Sequence, residues 1–378
     1  MAKRLKILRV GMNYPRDISP GGGQHVYYNS YCSDYEELIV ISKKEGEIKK
    51  NRDGVRIIEI DQKEGSLGLY SDNPLKKVGA FFRKLFAQFR FLQSSRKHID
   101  IYRPDLVHVY TPIPIFVGLY AKIRYGSKIV VSLHGSDMLR ISHNKFMGIV
   151  FRFVDAIVSV SDNTMGLEKN RWINKPIRYI GNGVDLQMFT NKRKVRQNKF
   201  IHVGSLRWQK GQEYLINGFA LFLKNHSDYL LEIIGQGPKK EELEELCSQL
   251  GIKDNVVFRG VQGRESIAES LNTAKAFVLT SVSEGFPKVI IEAMATGTPV
   301  ISSDAGNVKN VILDSGIIFP AKSSESVAKA MSEIIASSDE WSHLSALSEK
   351  YAAEYSWERQ AEKLDNIYNE ILKKKNTR

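Results

Sequence analysis

Two glutamates, Glu284 and Glu292, stand eight positions apart in Ser283–Val300, SEGFPKVIIEAMATGTPV, around a turn that opens a helix. Gly285 and Phe286 lead into that turn: the glycine permits a sharp bend, and Pro287 suits a first helical position, where a missing N–H costs nothing. The amides of Lys288 and Val289 are then expected at a helix N-terminus, a natural seat for an anion. Glu292 lies further along the same helix, and Glu284 in the loop before it. A diphosphate can rest at such a tip with one carboxylate for each of two flanking polyols. Carboxylates accept hydrogen bonds from vicinal hydroxyls, so the layout suits a nucleotide sugar.

Other segments place glycines, a histidine or basic side chains at expected strand ends. SPGGGQH, Ser19–His25, follows the first strand, and its glycines expose amides to a phosphate or sugar. It is not G-x-G-x-x-G and lends little to nicotinamide binding. His134 heads HGSD directly after the strand KIVVSL, where open α/β sheets line their ligand crevice; Asp137 is a lesser candidate for that loop. GSLRWQKG, Gly204–Gly211, carries Arg207 and Lys210, which can neutralise charge growing on a departing nucleoside diphosphate. IIGQGP supplies Gly235 and Gly237, and VVFRGV supplies Arg259.

EGFP followed by EAMATGTPV resembles the E-x7-E signature of the retaining glycosyltransferases of family 4. The resemblance is strongest over residues 200–320. It implies an α/β GT-B fold: two Rossmann-like domains facing each other across a deep cleft, the C-terminal helix crossing back to the first. It implies that Glu292 holds the ribose and Glu284 the donor sugar hydroxyls, with Lys210 on the diphosphate. Gly22 and Gly23 match the Gly-Gly turn that faces the diphosphate. His134 matches a histidine that contacts the transferred sugar, Gly235 and Gly237 the i-G-x-G-p turn, and Arg259 the strand that holds the base. His134, Lys210 and Glu284 are thereby the expected catalytic set. Two departures stand out: Ser205 replaces the arginine of G-R-L-x-x-x-K-G, leaving Arg207 as a substitute, and Asn307 and Asn310 lie where G-G-x-x-E is common.

A chain of 378 residues holds two ordinary domains, and 42% hydrophobic residues with four tryptophans fit a globular protein. Cys32 and Cys247 are the only cysteines and lack metal-ligand neighbours, which points to a reducing cytosol and away from zinc or a disulfide framework. No signal peptide and no apolar run near ~20 residues is visible, so a cytoplasmic, soluble or peripheral protein is expected. Residues 1–180 carry 30 Lys and Arg against 17 Asp and Glu, while residues 181–378 carry 25 of each. The whole excess of +13 belongs to the first half, which suits an anionic surface or substrate.

These residues need strands to position them. Leu5–Gly11, Glu37–Ile41, Val55–Ile60, Leu106–Tyr110, Ile129–Leu133 and Ala156–Val160 read as strands of a parallel sheet, with helices at Pro74–His98 and Ile113–Arg124. A second series follows: Phe200–Gly204, Leu230–Ile234, Val256–Arg259, Ala276–Leu279 and Val300–Ser302, with helices at Gly211–Lys224, Lys239–Gln249 and Pro287–Ala295. Glu325–Ala336 and Trp357–Lys373 read as terminal helices. The expected domains are 1–184, an acceptor domain; 185–356, a nucleotide-sugar domain; and 357–378, a helix packing back on the first. Ile180–Asp185 and the polar run Asn191–Lys199 read as linker.

Lys76–Lys97 holds seven basic residues, five phenylalanines and no acid, with Val78, Phe82, Leu85, Phe89 and Leu92 on one stripe. Such a helix suits the anionic inner face of a membrane, or else a core-facing helix with a basic outer side. The leading expectation is a retaining, hexosyltransferase-type enzyme that moves a sugar from a nucleotide sugar, a UDP-sugar first, to a glycan or lipid-linked hydroxyl in bacterial surface-polysaccharide synthesis (O-antigen, lipopolysaccharide, capsule or exopolysaccharide). No metal is expected, since no D-x-D triad is visible, and no cofactor and no nucleic acid are expected beside the nucleotide sugar. The alternatives are a nucleotide-sugar epimerase of related fold and, last, a non-catalytic basic nucleic-acid-binding protein.

Overall fold

The computed structural model describes residues 5–11, 24–31, 35–42, 55–60, 74–110, 114–133, 145–160, 173, 175 and 177–373. It divides into two compact units, Met1–Gly181 with Trp357–Arg378, and Asn182–Ser356.

The first unit is built on seven parallel strands: β1 Lys6–Gly11, β2 Glu36–Ser42, β3 Val55–Ile60, β4 Leu106–Val109, β5 Lys128–Leu133, β6 Ala156–Ser159 and β7 Ile177–Tyr179. Their order is β3-β2-β1-β4-β5-β6-β7, with Ile7 paired to Leu106 and Lys6 to Glu36. Successive side chains point to opposite faces, and both faces are covered, so the strands read as near-continuous apolar runs. On one face Leu8, Val10, Val107 and Val131 cluster with Phe91, Ile99 and Tyr102 of helix Pro74–Tyr102 and with Ile115 and Val117 of helix Ile115–Tyr125. On the other, Ile7, Leu106, Val130 and Val158 cluster with Leu364, Ile367, Tyr368 and Ile371 of the last helix, Trp357–Lys373.

A polar layer is sealed beneath that last helix. Arg9 and Glu37 form an ion pair at 2.6 Å with both side chains fully buried. Arg9 also donates to the hydroxyls of Tyr110 (2.7 Å) and Tyr368 (3.0 Å) and to the Asn29 carbonyl (3.0 Å). His108 bridges Tyr368 Oη at 2.6 Å and Ser132 Oγ at 2.7 Å. A buried charge is tolerable only when its donors are matched, and each of the five N–H groups of Arg9 meets an acceptor.

The second unit has six parallel strands: β8 Lys199–Val203, β9 Leu230–Ile234, β10 Val256–Gly260, β11 Ala276–Leu279, β12 Val300–Ser303 and β13 Gly316–Phe319, in the order β10-β9-β8-β11-β12-β13. Helix Gln212–Leu223 packs with Ser324–Ile334 on one side through Leu215, Phe219, Val327 and Met331. Helix Lys288–Ala295 packs on the other through Ile290, Ile291 and Met294.

The run Asn191–Lys199 is not a free linker: it belongs wholly to the second unit. Its Arg196 reaches the carbonyls of Leu271, Thr296 and Gly297 and the Thr298 hydroxyl at 2.8–3.2 Å, and lies over the Trp341 ring. A cation suits the C-terminal carbonyls of helices Arg264–Thr273 and Lys288–Ala295, so a polar run that read as linker is a cap shared by both. The chain passes between units at Gly181–Asn182 and again at Ser356–Trp357. Among the described residues, no helix is long and apolar enough to cross a membrane.

Candidate active site at the carboxyl edge of the second sheet

In the second sheet the strand order reverses between β8 and β11, the switch point at whose carboxyl ends open α/β sheets bind their ligands. The loop after β8 is Gly204–Gly211; the loop after β11 runs from Thr280 to Pro287. Three hydrogen bonds tie them together. Val282 N–H donates to Gln209 O at 2.8 Å, Thr280 Oγ1 to Lys210 O at 3.1 Å, and Lys210 Nζ to Glu284 Oε1 at 2.5 Å. Ser281 Oγ donates to the same carboxylate oxygen at 2.6 Å. The Glu284 side chain is 9% exposed and Lys210 25%, which shields the pair while leaving the ammonium an open side.

The backbone around this pair is packed to contact. Gly235 sits at φ +140°, and a Cβ there would come 1.9 Å from the Gly204 carbonyl. The close approach that Gly235 and Gly237 permit is therefore that of the Gly204–Leu206 backbone, which donates to Ile234 O and Gln236 O at 2.9 and 3.0 Å. Gly306, at φ +64°, lies so close to the Glu284 carbonyl that a Cβ would fall 2.1 Å away, and Asn310 donates to Asn307 at 2.8 Å beside it. The asparagines that depart from the familiar loop thus close it internally.

Beneath the β8 loop, His202 is wholly buried. Its Nδ1 faces the Val278 carbonyl at 2.9 Å, so that nitrogen carries the proton, and Nε2 accepts from the Gln212 amide 3.3 Å away. Gln212 spends its other N–H on the Ser205 carbonyl at 2.9 Å. Burial pushes the imidazole down to about 4, against its bond to Val278 and helped by Lys210, so the ring stays neutral. One strand-buried ring thereby links β11, β8 and the loop holding Lys210.

Helix Lys288–Ala295 follows directly. Pro287 is extended (φ −76°, ψ 104°) and flanks the helix instead of opening it, and Lys288 takes the first helical position; Ile290 N–H returns to Pro287 O at 3.1 Å. Glu292, one turn on from Lys288, accepts from Arg264 Nη1 at 3.1 Å. Burial raises the Glu292 carboxyl, with Arg264 and Lys288 opposing. Burial lowers the Lys288 ammonium to about 8, with Glu292 opposing that shift. Two carboxylates, each with a cation, thus stand in the loop before this helix and one turn along it.

A family profile described as "Glycosyl transferases group 1" matches residues 184–369, and one described as "Glycosyltransferase Family 4" matches residues 61–188. The chain belongs to glycosyltransferase family 4. An uncharacterized glycosyltransferase of Methanocaldococcus jannaschii is 33% identical over 175 residues, 46% of this chain and 45% of that one. N-acetyl-alpha-D-glucosaminyl L-malate synthase of Bacillus anthracis is 29% identical over 227 residues, 55% of this chain and 58% of that one. The matches thus span about half the length of these curated relatives. Sucrose-phosphate synthase from Thermosynechococcus elongatus shares the fold with a TM-score of 0.76, over 97% of this chain and 99% of that one, at 19% identity. Anabaena HepE in complex with UDP and glucose gives 0.70, over 97% and 100%, at 16% identity. The fold class is α/β GT-B.

In this family-4 chain Lys210, Glu284, Gly285, Phe286, Pro287, Lys288, Val289 and Glu292 lie on one loop pair and the helix it opens. Phe286 also packs into the apolar cluster under that helix, 5.8 Å from the Tyr355 ring. Arg207 is exposed at the start of the short helical turn Trp208–Lys210 and has no side-chain partner among the described residues. Arg259 is not brought to the group: its guanidinium turns to Glu232, 3.9 Å away, whose carboxylate also meets Lys199 and Ser270. Gly22, Gly23, His134 and Asp137 lie outside the described residues. Sequence reasoning missed Arg264, His202 and Gln212. The only signal was a histidine set in the apolar strand KFIHV, two residues before the glycine of the loop.

Proposed function

We propose that this chain is a retaining glycosyltransferase that moves a sugar from a nucleotide sugar to an acceptor hydroxyl. The observation that carries the reading is the Lys210–Glu284 pair at the point of strand reversal, beside a helix whose Glu292 accepts from Arg264. The anomeric carbon–oxygen bond to the diphosphate breaks as the acceptor oxygen bonds to that carbon from the same face. The acceptor proton passes to the leaving phosphate oxygen, so no protein nucleophile is required. Lys210, the exposed Arg207 and the positive end of helix Lys288–Ala295 stabilise the departing charge. Glu284 receives the donor sugar hydroxyls and Glu292 the ribose diol. His134 is assigned to the transferred sugar, and Gly22 and Gly23 to the diphosphate.

A UDP-sugar is the first donor to test, supported by the UDP and glucose held by Anabaena HepE. The acceptor proposed is a glycan or lipid-linked hydroxyl of a bacterial surface polysaccharide, supported by the positive excess of residues 1–180. A peripheral place on an anionic membrane goes with it: Phe86 and Phe89 on helix Pro74–Tyr102 are 62% and 52% exposed. The deciding experiment is thermal-shift and hydrolysis screening against UDP-, GDP- and ADP-sugars, with Glu292→Ala alongside and EDTA added to the active pair. One nucleotide sugar should stabilise the wild type and not the variant, and EDTA should leave turnover intact. Equal stabilisation of both proteins would overturn the donor site, and a strict divalent requirement the metal-free chemistry.

A further inference from the structure

Arg264 stands outside every motif legible in the sequence, yet it reaches the carboxylate on which the ribose assignment rests. It opens the helix Arg264–Thr273 after β10, and its Nη1 donates to Glu292 Oε1 at 3.1 Å. The two side chains expose only 18% and 12% of their area. The guanidinium also lies over the Phe189 ring, its Cζ 4.9 Å from the centroid. Ring and carboxylate hold the fork from two sides, so its direction is set before a ligand arrives. The charged groups facing the Glu292 carboxyl, among the described residues, are Arg264 from the neighbouring helix and Lys288, one turn earlier on its own helix. A carboxylate offers about four lone-pair sites, so a contact on Oε1 leaves room for a diol on the same group.

We infer that Arg264 is a positioning residue for ribose recognition: it fixes the orientation and charge of Glu292, so that this carboxylate receives both vicinal hydroxyls of a nucleotide. The inference rests on the reading of Glu292 as the ribose ligand. Burial alone favours the protonated acid, which can accept fewer hydrogen bonds and competes as a donor. Arg264 opposes that from the neighbouring helix, and without it Lys288 alone would be left to do so.

The test is calorimetric binding of UDP, GDP and ADP to wild type, Arg264→Gln, Arg264→Lys and Glu292→Gln. The 2′,3′-dideoxy form of the tightest nucleotide serves as the probe without a diol. Arg264→Gln should weaken the ribonucleotide about tenfold, the scale of one charged hydrogen bond, and leave the dideoxy form at its wild-type affinity. Arg264→Lys should recover part of the loss. Since the diol binds the carboxylate, affinity falls as pH drops through the Glu292 titration. In Arg264→Gln that acid limb should move to higher pH, for the ribonucleotide only.

Equal weakening of both nucleotides, or of neither, overturns the inference and leaves the donor site standing. Ribonucleotide binding that is the same in wild type and Glu292→Gln overturns the reading of Glu292, and the inference with it. Absence of nucleotide binding by the wild type does the same. Should Arg264→Gln unfold below the assay temperature, Arg264→Lys carries the comparison. A loss confined to the ribonucleotide then supports the inference, and an equal loss overturns it.

Discussion

Lys210 and Glu284 neutralise one another at 2.5 Å, although the proposed reaction uses them on different parts of the donor. Donor binding must therefore divide them, giving the ammonium to the diphosphate and the carboxylate to the sugar. Lys210→Ala should lower transfer by about 10²–10³, the cost of one preorganised donor. Glu284→Gln should also lower transfer, while nucleoside diphosphate affinity stays at or above wild type, because the competing anion is gone. Calorimetry on the two variants checks this; equal weakening of UDP in both would refute it. Lys210, Glu284 and Glu292 were legible because each lies in a contiguous motif whose glycines and proline announce the turn. Arg264 was not, because its partner comes from a different helix and exists only in the folded chain. The approach of Arg259 to Glu232 was not legible for a related reason: it follows the position of Glu232 on the neighbouring strand, and register is not written in one strand alone.

Helix Pro74–Tyr102 shows how an element can satisfy a core and still leave an apolar surface. Phe91, Ser95, Ile99 and Tyr102 are buried, while Phe86, Phe89 and Arg90 are exposed. The expected stripe thus divides, with Phe89 outward and Leu92 against the core; the side chains of Val78, Phe82 and Leu85 lie outside the described residues. If this helix meets an anionic bilayer, the protein should sediment with phosphatidylglycerol vesicles and not with neutral ones, less so as salt rises. A Phe86→Ser, Phe89→Ser double variant should lose most of that binding and keep its thermal stability. Unchanged sedimentation would remove the membrane from the proposal. Most elements were legible from apolar periodicity, including eleven strands over both sheets. The two edge strands Ile177–Tyr179 and Gly316–Phe319 were not, being three and four residues long and mostly half-exposed. Helix Ser338–Ala353 escaped because serines and charges dilute its apolar stripe to a few buried small side chains.

At the scale of the molecule, both sheets reverse strand order after their first three strands, and the first is closed by a helix from the far end of the chain. Burial pushes the Tyr368 hydroxyl well above its ordinary range, so it stays protonated while it accepts from Arg9 and meets His108. Tyr368→Phe should cost about 2–4 kcal/mol in urea unfolding, since Arg9 and His108 lose a partner that water cannot replace. A change below about 0.5 kcal/mol would show the layer relaxes around the loss. The contact between Arg9 and Tyr368 spans 359 positions of sequence. On the ribosome, where synthesis is vectorial, Asn182–Ser356 is therefore complete while the unit begun before it still lacks one wall. The half made first matures last, and until Trp357–Lys373 emerges a nascent chain presents the bare face of Ile7, Leu106 and Val130 to chaperones.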